Sequence, residues 1–269
     1  VALTELSKAG LSVKDSLAAA RGVLQLSAIA NISAGDAAVI SATQLNAFGL
    51  AGDQAVRVTE LLADASIAAQ GDITDFAAGF AQAGTAAKQS GVSIEDTTAL
   101  LTQLGLAGIK GADGGTSLRT FLLRLVPTTK EAAQYTKALG IQLDKNKSIG
   151  AQLPDVIEQY RTQLEKLNPQ TQVLVLNQIF GQDAFRAASV IFGQQKDALK
   201  ALTDEFKKTN ATQDLAAAKS AGLSGAFGGL KSQLETTGTS IGLLVAGPLE
   251  DFIRGLSNTF DGVHEVITS

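Results

Sequence analysis

The stretch that decides the fold class is residues 91–127, GVSIEDTTALLTQLGLAGIKGADGGTSLRTFLLRLVP. Ser93 and Asp96 have the three-residue spacing of a capping box, and apolar residues then recur near the helical period. This pattern predicts a helix that begins after Ser93. The glycine-rich run 108–115 should end that helix, because glycine tolerates positive φ angles and is costly inside a helix.

A second helix is predicted directly after the glycine-rich run. Its apolar residues have the spacing i, i+3, i+4 and i+7, which places them on one stripe of a helix. They are Leu118, Phe121, Leu122 and Leu125. Pro127 should end this helix, because proline has no backbone N–H to donate. Residues 91–127 therefore predict two helices joined by a glycine hinge.

Similar helix starts recur through the first part of the chain. Ser12 and Ser33 each precede an Asp by three residues and then an apolar run of helical period, and Asp72 precedes another. The starts fall near residues 12, 33, 53, 72 and 93, roughly 20 residues apart. This spacing fits either a true helical repeat or the ordinary helix length of an all-helical protein.

The predicted fold class is all-α. No stretch alternates apolar and polar residues over the length of a β-strand. We expect an array or bundle of short and medium helices joined by Gly-rich turns, with no sheet. Changes in composition along the chain predict four parts. They are a helical core module at 1–127, a linker with a short helix at 128–153, a helical module at 154–210, and an apolar, small-residue-rich segment at 211–269.

Single residues refine this division. A short helix is expected from Lys130 to Leu139, and Pro154 is expected in the first turn of the next helix. Gly181 should form a corner between two short helices. The small residues of 211–269 would let helices approach closely, which suits helix association within one chain or between copies.

Composition excludes several classes of function. With 45 % hydrophobic and 18 % charged residues in 269, the chain is expected to fold around a substantial core. Its net charge of −4 leaves no basic surplus for nucleic-acid binding, and the absence of Cys excludes disulfides and thiolate metal sites. No apolar run is long enough for a conventional membrane span. Because the chain starts at Val1 and contains no Met, we expect it to be part of a longer translated protein.

No catalytic, cofactor-binding or metal-binding residues are predicted. The run 108–115 could hold a phosphate on free N–H groups, but a Walker loop needs a preceding strand and a Lys directly before the Ser or Thr. Lys110 instead lies six residues before Thr116, so a turn is favoured. Paired carboxylates such as Glu95 and Asp96 fit helix starts better than acid–base chemistry, and His264 fits a surface position. An enzyme is therefore not expected.

Three ordered motifs in residues 91–127 resemble the core region of phage tail tape measure proteins. These are the G-x-S-x-E-D start at residues 91–96, the A-G-I-K-G hinge at 107–111 and the G-T-x-L-R start at 115–119. Flanking segments at 63–80 and 178–184 are similar to that family as well, so the resemblance extends over about residues 1–260. Its motif residues, read as structural turns and helix starts, are Gly91, Ser93, Asp96, Gly108, Ile109, Lys110, Gly111, Gly115, Leu118 and Arg119.

The resemblance implies a structural virion protein in the lumen of the phage tail, made in the host cytoplasm. It implies roles in tail assembly, tail-length determination and genome ejection. The implied partners are other copies of the chain, the tail tube protein and tail-tip or baseplate proteins, with no specific nucleic-acid binding and membrane contact only during ejection. Because its 27 glycines and four prolines interrupt helices, we expect this chain to be a folded domain and not an extended ruler helix.

Two alternatives need no phage context. One is a generic α-helical scaffold that binds partners, suggested by the recurrence of helix starts. The other is a membrane-active helical protein, suggested by the apolar, small-residue-rich stretch 227–256.

Overall fold

Helices make up nearly all the regular structure of residues 1–208, the part of the chain that the computed structural model describes. Those residues form eleven α-helices and one 3-10 turn, Gly52–Gln54, with no β-strand among them. The all-α prediction is confirmed. The helices are α1 (Ala2–Lys8), α2 (Val13–Ala30), α3 (Ala34–Phe48), α4 (Ala55–Ala68), α5 (Ile73–Gln89), α6 (Ile94–Leu106), α7 (Gly111–Arg124), α8 (Lys130–Ala138), α9 (Ile149–Leu164), α10 (Pro169–Phe192) and α11 (Ala198–Lys208).

The predicted helix starts are set by a recurring serine cap. Ser12, Ser33 and Ser93 each accept the backbone N–H of the Asp three residues later, at 3.0–3.1 Å, through the side-chain hydroxyl. The same hydroxyl donates to the Asp carboxylate at 2.6–2.7 Å. Each pair of contacts satisfies an N–H group that the first turn leaves without a helical partner. The starts predicted near residues 12, 33 and 93 are therefore confirmed, and the start near 72 is confirmed with Asp72 as the cap.

Two helix starts differ from the sequence prediction. Helix α7 begins at Gly111, inside the glycine-rich run and not after it. Helix α9 begins at Ile149 behind a Ser148 cap, so Pro154 lies inside the helix and not in its first turn. The early start of α9 is supported by the Ser148 cap and by the Gly150 N–H, which donates to the Ser90 carbonyl at 2.8 Å. In α7 the glycines of the first turns include Gly115, which packs on the backbone of α5. The short helix predicted at 130–139 is confirmed as α8.

Helices α5 and α7 form the most extensive helix pair among the described residues, and they touch backbone to backbone. A Cβ atom on Gly115 would overlap the carbonyl oxygen of Gly79 and lie 2.8 Å from the Gln82 Cβ. Only a residue without a side chain fits at this crossing. The close approach buries the apolar stripe of α7, whose four residues are at most 1 % exposed: Leu118, Phe121, Leu122 and Leu125.

Four aromatic side chains form the centre of the packing between α7, α9 and α10. Phe121 stacks on Phe180 with ring centroids 5.4 Å apart, and Tyr160 stacks on Phe192 at 4.5 Å. The two pairs touch each other, with Phe180 and Phe192 at 5.5 Å. We call these four residues the aromatic cluster. It belongs to a hydrophobic core whose members lie on both sides of residues 128–153.

The predicted division at 127, 153 and 210 remains a prediction. The described residues, 1–208, all lie within one compact unit. The apolar segment predicted at 211–269 lies outside the described residues, as does the stretch 227–256 that suggested membrane activity.

Replacing Gly115 with Ala should force α5 and α7 apart. We expect the variant to lose about 1–3 kcal/mol of the free energy of unfolding, the usual cost of overpacking a close contact. Urea denaturation followed by far-UV circular dichroism measures this loss. The matched control is Gly35→Ala, where only the Val1 side chain at 3.2 Å and the Ser33 hydroxyl lie near the new methyl group. An equal loss in both variants would contradict the close-contact explanation.

The stability contributed by Asp15 should disappear in acid. Its hydrogen bonds with the Ser12 hydroxyl and the Gly52 N–H lower the pKa of its carboxyl below the ordinary 3.8. A carboxyl with a depressed pKa stabilises the fold above its unfolded pKa and loses that contribution as the pH falls through its folded pKa.

The test compares the wild type with Asp15→Asn across pH. We expect the wild type to be more stable at neutral pH and the difference to shrink as the pH falls through and below 3.8. The control is Asp155→Asn, at an exposed position in the middle of α9. A difference that stays constant from pH 7 into acid would rule out the carboxylate as its source.

Candidate functional site

The motif residues lie at the two ends of α6 and within the first nine residues of α7. Gly91, Ser93 and Asp96 are at the start of α6, while residues 108–111 follow its other end. A helix of 13 residues separates the two groups by about 20 Å. The structure therefore does not bring the ten motif residues into one chemical site.

The hinge after α6 is a hydrogen-bonded helix end. The Gly108 N–H donates to the Gly105 carbonyl at 3.0 Å, and the Ile109 N–H donates to the Leu104 carbonyl at 2.9 Å. This pair of bonds is a Schellman motif, in which the residue after the glycine usually packs on the helix it ends. Ile109 does so and is 6 % exposed. Lys110 then precedes α7 without making a side-chain cap.

A small cavity lies beside this hinge, between α5, α6 and the start of α7. Its volume is about 10 Å³, roughly the space of one water molecule. Its lining includes Asp75 and Gly111, and an Asp75 carboxylate oxygen lies 3.5 Å from the position of a Cβ on Gly111. A carboxylate at the amino end of α7 already provides the negative charge that a helix start favours. It would repel a phosphate, which disfavours a phosphate site in the run 108–115, where residues 108–110 form the turn and residues 111–115 are helical.

The first turn of α6 has a second role that the sequence did not predict. The Asp96 carboxylate that accepts the Ser93 hydroxyl also accepts the Thr203 hydroxyl of α11, at 2.8 Å. Its neighbour Glu95 accepts from the Arg57 guanidinium at 3.2 Å. Arg57 also donates to the Phe206 carbonyl at 2.6 Å. Asp96 thus binds α11 to α6 directly, and Glu95 does so through Arg57 of α4.

Sequence patterns could not have revealed this attachment. Arg57 and Glu95 are 38 residues apart, and Thr203 and Asp96 are 107 apart. Local spacing identifies the cap between Ser93 and Asp96 but gives no sign of a partner so distant in the chain. The exposed cations Lys110 and Arg119 of the motif lie on the surface, whereas Leu118 is fully buried.

The described residues give no support to acid–base or metal chemistry. No group of three or more His, Asp or Glu side chains in residues 1–208 could hold a metal ion. Burial raises the pKa of the Tyr160 phenol to about 12, which suits a packed core residue. Pairing with Glu158 raises the pKa of Arg161, and that pair lies on the surface of α9. His264 lies outside the described residues.

Residues 1–181 match the sequence profile of the phage-related minor tail protein family. The chain belongs to this family. The match covers the whole of α1 to α9 and reaches Gly181 in α10, so it includes both helices of the opening stretch and the hinge between them.

The chain is also similar to two phage proteins that are named as tape measure proteins. The tape measure protein of Pneumococcus phage Dp-1 is 28 % identical over 236 residues, which is 84 % of this chain and 20 % of that protein. The probable tape measure protein of Escherichia phage P2 is 29 % identical over 241 residues, 88 % of this chain and 29 % of that protein. The chain thus spans less than a third of the length of either relative. The resemblance to tape measure proteins is confirmed.

No solved structure matches this chain. For membranes, none of the described helices is by itself long and apolar enough to cross a bilayer. Helices α2 and α3 taken together have the length and apolar composition of a membrane span, but the two helices are bent by 119° where they meet.

Replacing Asp96 with Ala should loosen α11. The change removes the carboxylate that binds both the Ser93 and the Thr203 hydroxyls, so we expect a loss of about 1–2 kcal/mol in the free energy of unfolding. Amide hydrogen exchange of residues 198–208 should also become faster than in the wild type. Asp155→Ala, at an exposed site of α9, is the control. Unchanged exchange in α11 would show that the attachment does not depend on Asp96.

Proposed function

We propose that this chain is a folded structural domain of a phage tail tape measure protein. It takes part in tail assembly and tail-length determination inside the tail tube, and in genome ejection. The observation that carries the proposal is the similarity to two tape measure proteins over 84 % and 88 % of the chain. The family match over residues 1–181 supports the same role in the tail.

The fold supports a domain of the tape measure and not its extended part. The longest uninterrupted helix of the described residues is α2, whose 18 residues give about 27 Å. The helices turn back on one another around a shared core, with Leu6 at one end of the described chain and Phe206 near the other. An extended ruler needs continuous helix along the tail, and these residues instead pack in three dimensions.

The proposed partners follow from this placement. They are other copies of the chain, the tail tube protein and the tail-tip or baseplate proteins. The proposed location is the lumen of the tail in the virion and the host cytoplasm during assembly. With a net charge of −4 over 269 residues, specific nucleic-acid binding is not part of the proposal, and membrane contact is restricted to ejection.

Electron microscopy of tails separates a domain role from a ruler role. If residues 1–208 formed an extended helix, deleting them in frame would shorten the tail by about 310 Å at the helical rise. We expect the deletion to reduce the number of assembled tails, while any tails that do assemble shorten by far less. Gly115→Ala should likewise lower tail yield without changing tail length, and Gly35→Ala should change neither.

Two results would contradict the proposal. One is the absence of peptides from this chain in purified tails analysed by mass spectrometry. The other is a tail that assembles in normal numbers but is shorter by the full helical length of residues 1–208.

A further inference from the structure

The outer face of α7 carries a stripe of uncharged residues with one cation in it. Ala112, Thr116, Arg119 and Leu123 follow one another at spacings of four, three and four residues, so they lie on one side of the helix. Val126 continues this side just beyond the helix end. Leu123 is 49 % exposed and Val126 is 51 % exposed. We call these five residues the α7 stripe.

Arg119 is a residue of the family motif that has no role inside the fold. Its side chain is exposed and makes no hydrogen bond or ion pair within residues 1–208. Lys110, the other exposed cation of the motif, lines the small cavity beside the hinge, whereas Arg119 lies on an open helix face. A lone cation on an uncharged stripe is complementary to a surface that offers a carboxylate beside apolar side chains.

Helix α3 has that chemistry on its own outer face. Asp36, Val39 and Thr43 follow one another at spacings of three and four residues and are all exposed, Val39 at 48 %. The Asp36 carboxylate accepts the Ser33 hydroxyl at 2.6 Å. No Lys or Arg of residues 1–208 forms an ion pair with it. We call Asp36, Val39 and Thr43 the α3 stripe.

The two stripes match in register. If the helices run side by side in the same direction with Arg119 opposite Asp36, Leu123 lies about 6 Å further along α7 and Val39 about 4.5 Å further along α3. The two apolar side chains are then nearly level. Val126 and Thr43 each follow the charged residue of their stripe by seven residues, so they are level as well. One arrangement therefore forms the ion pair and the apolar contact together.

The two stripes do not meet within one copy of the chain. Helix α3 packs on α5, where the Gln44 amide donates to the Ala77 carbonyl at 3.0 Å, and α7 packs on α5 through Gly115 and Gly79. Helices α3 and α7 make no extensive contact with one another. A contact between the stripes therefore joins two copies. Because it uses two different faces, each copy keeps one free face for a further copy.

We propose that the α7 stripe of one copy binds the α3 stripe of a second copy, with Arg119 paired to Asp36 and Leu123 packed on Val39. This head-to-tail contact builds a ring or a row of copies. The inference rests on the proposed function in that other copies of the chain are among its partners, and it adds the surface that joins them. Its test uses the purified chain, so its failure is separate from a failure of the role in the tail.

The first test is a disulfide between two copies of the full 269-residue chain. The chain has no Cys, so Leu123→Cys and Val39→Cys can be introduced in separate preparations and mixed under mild oxidation. We expect the mixed disulfide to form in higher yield than either homodisulfide, because a disulfide requires Cα atoms within about 7 Å of each other. Mass spectrometry of the linked peptides identifies the pair. The matched control replaces Leu123→Cys with Val173→Cys, which is also 49 % exposed and lies on α10.

The second test reverses charges and measures self-association by analytical ultracentrifugation over a concentration series. Arg119→Glu and Asp36→Lys should each weaken association about tenfold or more, because each places like charges opposite one another. An equal mixture of the two variants should associate again, since Arg119 of one then meets Asp36 of the other. The controls are Arg21→Glu and Asp155→Lys, at exposed charges of α2 and α9. Both should associate as the wild type does.

Three results would overturn the proposal. One is a wild-type chain that stays monomeric at every concentration. Another is a homodisulfide at position 123 that forms as readily as the mixed disulfide, which would indicate a symmetric contact between two α7 helices. The third is a mixture of the two charge variants that associates no better than either variant alone, with circular dichroism showing both to be folded.

Discussion

The structure depends on the close approach of α5 and α7, where Gly115 lies directly on the backbone of Gly79. Because no side chain separates the two helices, the apolar stripe of α7 is pressed into the core along its whole length. That position presents Phe121 to the aromatic rings of α9 and α10. Gly79 and Gly115 thus set the distance between α5 and α7, and α9 and α10 pack on α7. A change in that distance would move α7 against these helices, because a close-packed interior transmits strain.

Several residues of the motif that connects this chain to tail proteins make structural contacts. Ser93 and Asp96 cap α6, residues 108–111 turn the chain, and Gly115 permits the close crossing. Asp96 adds a contact between distant parts of the chain, because its second oxygen accepts the Thr203 hydroxyl of α11. A carboxylate can accept several hydrogen bonds at once, so one residue serves both a local cap and a long-range attachment.

Local features were predictable because local physics determines them. The serine caps at 12, 33 and 93 and the apolar stripe of α7 depend on residues within one or two turns, and the sequence patterns identified them. The start of α7 was misplaced because glycines at 111–115 were read as helix breakers. Their conformational cost is outweighed by the contact with α5, which no local pattern shows. Pro154 was misplaced because a Ser148 cap began α9 earlier.

By itself, the sequence determined the all-α class, most helix starts, the corner at Gly181 and the similarity to tape measure proteins. These depend on hydrogen bonds and periodicity within a few residues, which spacing reveals directly. Only the tertiary structure decided that Gly115 faces Gly79 and that Arg57 joins Glu95 to α11. It also decided that Phe180 contacts Phe192 across the corner at Gly181. Such contacts join residues far apart in the chain, and their partners are chosen by how packed helices fit together. The sequence predicts the hinge between the two helices of residues 91–127. Only the packing shows that Gly115 is needed for the close contact between α7 and α5.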